Sequence, residues 1–190
     1  MSHVPRALIT AACLALVAAC SAPPAPPPPA QPATPAQTPV QRGQYLVTAG
    51  LCNDCHTPHK MGPNGPEPDM TRMLSGHPET VTVTVPKIPA GWMFAGSPTM
   101  TAWAGPWGVS FTANLTPDQN TGLGVWDEGM FVRAMREGKH MGTSRPILPP
   151  MPWPWIGKYS DEDLKAIFAY LKSIPPVANH VPEPISPGKS

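Results

Sequence analysis

The sequence is poor in cysteine, in charged side chains and in long apolar runs, and each shortage excludes a class of protein. Four cysteines in 190 residues are too few for a disulfide-rich scaffold. Thirteen basic side chains face twelve acidic ones, which gives no electrostatic reason to expect binding to nucleic acid or to an acidic membrane. The apolar run at residues 7–19 is too short for a permanent membrane-spanning helix. The length suffices for one domain with a real core.

The N-terminus has the pattern of a bacterial export signal. Arg6 precedes the apolar run, and small residues lead up to Cys20 as they do in a lipobox. This pattern predicts a lipoprotein signal peptide over residues 1–19, a lipid attached to Cys20, and a protein anchored on the periplasmic side of a bacterial membrane. The alternative is an ordinary signal peptide, which would leave Cys20 as a free thiol.

Proline, in contrast to cysteine, is abundant. Thirty prolines predict a loop-rich protein with short helices. Residues 22–39 are rich in proline and carry no charge, which is typical of an extended, semi-rigid segment that forms no core. Residues 20–40 are therefore predicted to be a lipidated tether. A proline-rich docking ligand for another protein is the alternative.

The clearest chemical signal is the segment Cys52-Asn53-Asp54-Cys55-His56, which has the form C-x-x-C-H. This is the attachment signature of a c-type haem. Two thiols one helical turn apart can each form a thioether with a vinyl group of the same porphyrin, and the adjacent imidazole can then point at the iron. The motif predicts one covalent haem c, held by Cys52 and Cys55, with His56 as an axial iron ligand.

The same motif has two other interpretations. C-x-x-C can be a thiol–disulfide redox pair, and Cys52, Cys55, His56 and His59 could together bind zinc. A redox pair usually accompanies a βαβ pattern, and a structural zinc site usually takes ligands from a second knuckle; the sequence has neither. The other two cysteines lie in or beside the predicted signal peptide, so no disulfide is expected.

The second axial ligand is sought among the downstream methionines and histidines. Met151 is preferred, because prolines on both sides fix an extended loop that can present its sulfur to the iron at little entropic cost. Met141, in a glycine-rich setting, is the main rival. His140 or His77 would instead give a bis-histidine haem, and an open sixth position is the remaining alternative.

Periodicity and capping residues predict three helices. The first covers residues 41–49, the second covers 127–137 with Asp127 as its cap, and the last begins after Ser160 and ends before Pro175. The positions predicted to be buried in them are Gly43, Leu46, Val47, Phe131, Ala134, Met135, Leu164, Ile167, Phe168 and Leu171.

The rest of the chain is harder to interpret. Residues 60–69 have the composition of a Gly/Pro loop, and alternating Thr and Val over residues 80–85 predict a short strand. The chain after the last helix, residues 177–190, is predicted to be a flexible tail. Three tryptophans are expected to be core residues: Trp92, Trp103 and Trp107.

These features, in this order, resemble the class I cytochromes c. The resemblance implies a mainly α fold built around one covalent haem over residues 41–176. Residues 60–111 would be a loop-rich insertion that includes a short β ribbon. In that family a glycine of the first helix packs against an aromatic residue of the last helix near the haem. The candidates here are Gly43 or Tyr45, and Phe168 or Tyr170.

A closer likeness is to the cytochrome domains of bacterial membrane-associated dehydrogenase subunits. The similar blocks are Asn114 to Asp118, Gly122-x-Gly124-x-Trp126, Met151-Pro152-Trp153 and Asp161-x-Asp163-Leu164-x-Ala166. Subunits of that kind usually carry several C-x-x-C-H motifs, whereas this chain has one. The likeness implies redox proteins as donor and acceptor, with a dehydrogenase or oxidase complex among the partners.

Together these observations predict a single-haem electron carrier that is tethered to the membrane and faces the periplasm. The iron would cycle between its ferrous and ferric states without transforming a substrate, so the chain is not expected to be an enzyme. One alternative is a ligand sensor or peroxidase-like enzyme with an open sixth position. The other is an obligate haem relay subunit of a dehydrogenase or oxidase complex.

Overall fold

The computed structural model of the protein describes residues 36–188. Its α-helices are α1 (Pro39–Ala49), α2 (Cys52–His56), α3 (Glu128–Glu137), α4 (Trp153–Ile156) and α5 (Asp161–Ser173). Its strands are β1 (His59–Gly62), β2 (Gly65–Pro68), β3 (Ala95–Gly96), β4 (Ala102–Gly105) and β5 (Gly108–Phe111). The predicted signal peptide, Cys20 and most of the tether lie outside the described residues. Among the helices that are described, none combines the length and the apolar character needed to cross a membrane.

Helices α1 and α5 cross in close contact. The start of α1 is fixed by a capping box, in which Thr38 Oγ1 accepts from the Gln41 N–H at 3.2 Å and Gln41 Oε1 accepts from the Thr38 N–H at 2.9 Å. At the crossing, Gly43 lies against the backbone of α5 beside Tyr170. Of the pairs predicted for this contact, the structure brings together Gly43 and Tyr170, whereas Tyr45 is exposed.

Helix α3 packs beside α5 and completes the main core. Asp127 caps α3 by accepting from the Met130 N–H at 2.7 Å, and Gly138 ends it in the left-handed conformation with φ of 63°. The rings of Phe131 and Phe168 pack with their centroids 5.4 Å apart. Every helical position predicted to be buried is buried, which confirms the three predicted helices.

The region 60–111 contains two antiparallel sheets, and the predicted strand at residues 80–85 belongs to neither. Strands β1 and β2 form a hairpin whose connection is Pro63-Asn64. Composition predicts a loop over these residues instead. Strands β3, β4 and β5 form a three-stranded sheet in that order. Val83 packs against a small apolar cluster of this sheet, made of Ala102, Ala104 and Val109. Val81 and Val83 are half-buried whereas Val85 is exposed, so the alternation at 80–85 marks an irregular segment that is only partly covered.

The three tryptophans of this region are not equally buried. Trp103 is buried and Trp107 is half-buried, but Trp92 is 71% exposed. Trp92 follows Gly91, which has φ of 87°, and its N–H bonds back to Pro89 O in a tight turn. The core prediction is wrong for Trp92, because it lies in a turn whose residues, 89–94, are all exposed.

The chain after α5 is bound to the body, which corrects the predicted flexible tail. Asn179 is only 1% exposed, and its side-chain amide donates to two backbone carbonyls in the segment that follows α2. Further along, Ile185 and Val109 exchange two backbone hydrogen bonds of 2.9 Å. The folded body thus continues past residue 176, because buried polar groups near α2 take their partners from this segment.

Candidate haem-attachment site

The C-x-x-C-H motif forms α2, a single short helix just after α1. Leu51 precedes it in the left-handed conformation, with φ of 57°, and turns the chain from one helix into the next. Cys52 and Cys55 are half-buried free thiols, and His56 at the helix end is buried. The helix therefore holds both thiols one turn apart with the imidazole alongside, as attachment to a single macrocycle requires.

The imidazole of His56 is oriented by one hydrogen bond. Its Nδ1 lies 2.8 Å from the backbone oxygen of Ala113. A carbonyl only accepts, so the Nδ1 proton is the donor and Nε2 keeps its lone pair. Burial lowers the pKa of His56 and so favours the neutral ring. A neutral ring fixed through Nδ1 is the form in which histidine binds a metal through Nε2.

The backbone around His56 is fixed from the other side by Gly76. Its N–H donates to His56 O at 2.8 Å, and its φ is 78°. A β-carbon at Gly76 would lie 2.5 Å from Thr112 O and 2.7 Å from Ala113 O. Glycine is therefore required here for two reasons, the positive φ and the close approach to the carbonyl that orients the imidazole.

The two thiols lack the properties of a redox pair or a zinc site. Burial raises the pKa of Cys52 to about 11, and burial together with Asp54 raises the pKa of Cys55. Reactive C-x-x-C pairs have lowered thiol pKa values instead. In the part of the chain that the structure describes, no three His, Cys, Asp or Glu side chains converge as a metal site would require. Both alternatives to haem attachment are therefore disfavoured.

The loop that carries Met151 is anchored before and after this residue. Before it, Ser110 Oγ donates to Pro149 O at 2.6 Å. After it, the ring of Trp153 packs so closely on Gly138 that a side chain at position 138 would collide with the ring. The methionine is thus carried by a loop with fixed ends, which agrees with the rigidity expected from its prolines.

Met151 and Cys52 are both half-buried and pack against the main core. The other half-buried apolar side chains that pack against the main core are Met73, Leu115, Trp126, Val132, Ile147, Ile156, Tyr159 and Tyr170. Each of these side chains keeps part of its apolar surface uncovered by protein. With two thiols and an imidazole with a free Nε2, the residues present fit a haem. The role of Met151 as the iron ligand stays a prediction.

The structure separates the other candidates for the sixth ligand. His77 is fully buried, its Nδ1 lies 2.9 Å from Thr101 Oγ1, and its Nε2 lies 2.9 Å from Val81 O. Neither ring nitrogen of His77 is free for iron, which disfavours it as a ligand. His140 and Met141 are half-buried and remain alternatives to the preferred methionine.

Sequence reasoning misses the residues that orient His56. Ala113 acts through its backbone carbonyl, which every residue possesses, so its identity carries no signal. Gly76 offers a weak signal, because an isolated glycine often marks a positive φ. Asn179 lies in a proline-rich segment of the kind that is usually exposed, and only its distant partners reveal its role.

The chain is similar to cytochrome subunits of bacterial dehydrogenases. It is 31% identical over 153 residues to the gluconate 2-dehydrogenase cytochrome c subunit of Pantoea cypripedii, a match that covers 77% of this chain and 27% of that protein. It is 26% identical over 140 residues to the alcohol dehydrogenase (quinone) cytochrome c subunit of Gluconobacter oxydans, covering 73% and 22%. It is also 26% identical over 132 residues to the fructose dehydrogenase cytochrome subunit of Gluconobacter japonicus, covering 70% and 20%.

These matches confirm the predicted resemblance to dehydrogenase cytochrome subunits. The chain spans only about a fifth to a quarter of the length of these three relatives. No family model matches the sequence.

Proposed function

We propose that this chain, a homologue of the cytochrome c subunits of bacterial dehydrogenases, is a mono-haem class I cytochrome that carries single electrons. The observation that supports this most strongly is the His56 imidazole. Its Nδ1 proton is committed to Ala113 O and its Nε2 is left for a metal, beside two thiols on one helical turn. That combination suits a covalently bound haem better than it suits zinc or thiol chemistry.

Each residue of the site has a separate role in this proposal. Cys52 and Cys55 would hold the haem through thioethers, and His56 Nε2 and the Met151 sulfur would ligate its iron. The haem supplies one-electron redox chemistry at its iron. A thioether opposite an imidazole favours the ferrous state and raises the reduction potential. If the protein supplies both iron ligands in this way, no position on the iron remains for a substrate, so we do not propose an enzyme.

The names of the relatives support a dehydrogenase as a redox partner. Electrons would pass from it through this chain to a second redox protein. A lipid on Cys20 and the proline-rich tether would keep the cytochrome beside a membrane-bound partner on the periplasmic side. The balanced charge of the chain favours weak, fast docking through an apolar patch. Leu51, directly before Cys52, is 62% exposed and offers apolar surface beside the haem-binding helix.

The axial pair is tested by absorption spectroscopy of the full chain produced with cytochrome c maturation machinery. We expect ferric wild type to be low-spin, with the weak long-wavelength charge-transfer band of sulfur-ligated haem. Met151→Ala should lose that band, become high-spin and show a lower reduction potential, because a thioether ligand favours the ferrous state. Met141→Ala is the matched control, and it should keep both the band and the potential.

The other outcomes are equally informative. Loss of the band in Met141→Ala but not in Met151→Ala would move the sulfur ligand to Met141. A high-spin wild type would contradict the electron-carrier proposal and favour an open sixth position. A wild type that contains no haem would contradict the proposed function as a whole.

A further inference from the structure

The segment after α5 reaches the backbone that surrounds the C-x-x-C-H histidine. Asn179 donates both side-chain amide hydrogens, one to Ser75 O at 2.7 Å and one to His77 O at 2.8 Å. Its Oδ1 accepts from the Glu79 N–H at 3.0 Å and from Arg72 Nη2 at 3.2 Å. Every hydrogen-bonding position of this buried amide is therefore used, and three of its four bonds go to backbone groups of residues 75–79.

The turn that Asn179 fixes is the one that contains Gly76. Gly76 donates its N–H to His56 O, and it packs directly on Ala113 O, the oxygen that accepts the His56 Nδ1 proton. The Asn179 side chain therefore bonds to the residues directly before and after Gly76. Gly76 in turn contacts both the His56 carbonyl and the Ala113 carbonyl.

The same segment also binds Asn114, the residue after Ala113, just beyond the end of β5. Asn114 Nδ2 donates to Val177 O at 2.8 Å and to Asn179 O at 3.4 Å. The Asn179 N–H donates to Thr121 Oγ1 at 3.0 Å. The chain after α5 therefore binds both residues 75–79 and Asn114. It fixes the distance between the two segments that support the His56–Ala113 hydrogen bond.

We propose that Asn179 is a positioning residue for the iron-ligating His56. The inference rests on the proposed function and deepens it. By holding residues 75–77 against Ala113, Asn179 keeps the carbonyl in line with the Nδ1 proton. That hydrogen bond makes the imidazole a stronger donor and therefore stabilises ferric iron relative to ferrous iron. Loss of the Asn179 amide would weaken the bond without removing any ligand.

The test compares Asn179→Ala with Ile185→Ala in the full-length holoprotein. Ile185 belongs to the same segment and packs on the distant β-sheet cluster, so its truncation loosens the segment without touching residues 75–77. In Asn179→Ala we expect a higher reduction potential. We also expect exchange of the His56 Nδ1 proton in the ferrous protein, followed by NMR, to be faster by about tenfold or more. In Ile185→Ala neither quantity should change.

A second variant keeps the test decisive if Asn179→Ala does not accumulate. Asn179→Ser retains one donor in place of two, and it should change both quantities in the same direction by a smaller amount. Wild-type potential and exchange rate in an Asn179 variant that binds haem would overturn the positioning role and leave the proposed function intact. Equal changes in the Ile185 variant would also overturn it, because they would reflect general loosening. Absence of haem from the wild type would instead remove the proposed function and this inference with it.

Discussion

Gly43 lies where α1 crosses α5, and the space there admits no side chain. A β-carbon at this position would overlap Ala166 O and would lie 2.8 Å from the β-carbon of Tyr170. Gly43→Ala should therefore force the two helices apart. Since overpacking a core costs about 1–3 kcal/mol and sometimes more, we expect a loss of that size in the free energy of unfolding. Denaturant unfolding of the holoprotein measures it.

Gly129→Ala is the matched control for that substitution. Gly129 lies in the first turn of α3, and a β-carbon there meets only Arg133 Nη1 at 3.2 Å and Asp127 Oδ1 at 3.3 Å, the ends of two side chains. Because glycine weakens helices, this replacement should leave stability unchanged or raise it by up to about 1 kcal/mol. Similar losses in both variants would contradict the role assigned to the helix crossing.

At the scale of residues, the sequence predicts those whose identity carries the chemistry. Cys52, Cys55 and His56 are identifiable because no other side chains form thioethers and an iron–imidazole bond at that spacing. The acceptor that orients the imidazole could not be predicted, since Ala113 contributes a backbone oxygen. Whether Met151 completes the site stays a prediction from its prolines and its place in the chain.

At the scale of elements, local signals predict the helices well. The predicted caps Asp127 and Ser160 bond to backbone N–H groups of their own helices, and such short-range interactions can be seen in the sequence. The spacing of apolar residues identifies the buried face of each helix, because that face packs against a single core. For these reasons the three predicted helices differ from α1, α3 and α5 by only a few residues at their ends.

The strands could not be predicted in the same way. β3, β4 and β5 are only two to four residues long, and they are composed largely of glycine, alanine and tryptophan, so they show no alternation. Their pairing depends on partners elsewhere in the chain. Residues 80–85 do alternate, but they lie beside the sheet and pair with none of its strands. The hairpin of β1 and β2 offered a signal in Pro63-Asn64-Gly65, a typical turn sequence.

An ion pair connects the two crossing helices and makes their contact sensitive to pH. Arg42 Nε lies 2.8 Å from Asp163 Oδ1, and Arg42 Nη2 lies 3.1 Å from Oδ2. This bidentate hydrogen bond lowers the pKa of Asp163 in the folded protein. A carboxyl group with a lowered folded pKa stabilises the fold above its unfolded pKa of about 3.9, and the contribution disappears as pH falls through the folded value. Asp163→Asn should therefore lower the melting temperature modestly at pH 7.

Glu162→Gln is the matched control, because it removes the same charge from the same helical turn. Among the described residues Glu162 forms no ion pair, so its loss should have a smaller effect at pH 7. Thermal unfolding between pH 7 and pH 3 measures both variants. The difference between wild type and Asp163→Asn should shrink below about pH 4. A difference that stays constant down to pH 3 would show that the ion pair is not its cause.

At the scale of the whole molecule, the fold depends on contacts that span most of the chain. Asn179 and His77 are 102 residues apart in sequence, yet a hydrogen bond of 2.8 Å joins them. Composition predicts a loose tail after α5 because it records prolines and polar residues, but not the buried carbonyls that those polar residues meet. The C-terminal segment, the residues after α2 and the end of β5 together form one support for His56.

The central claim is that Cys52 and Cys55 bind one haem covalently, and the most direct test is the intact mass of the denatured protein. Wild type, expressed with cytochrome c maturation machinery, should be heavier than the double variant Cys52→Ser/Cys55→Ser, prepared in the same way, by about the mass of one haem that denaturation does not release. The double variant Cys52→Ser/Cys55→Ser should carry no such mass. A wild type without the added mass, or one that releases its haem on denaturation, would contradict the claim.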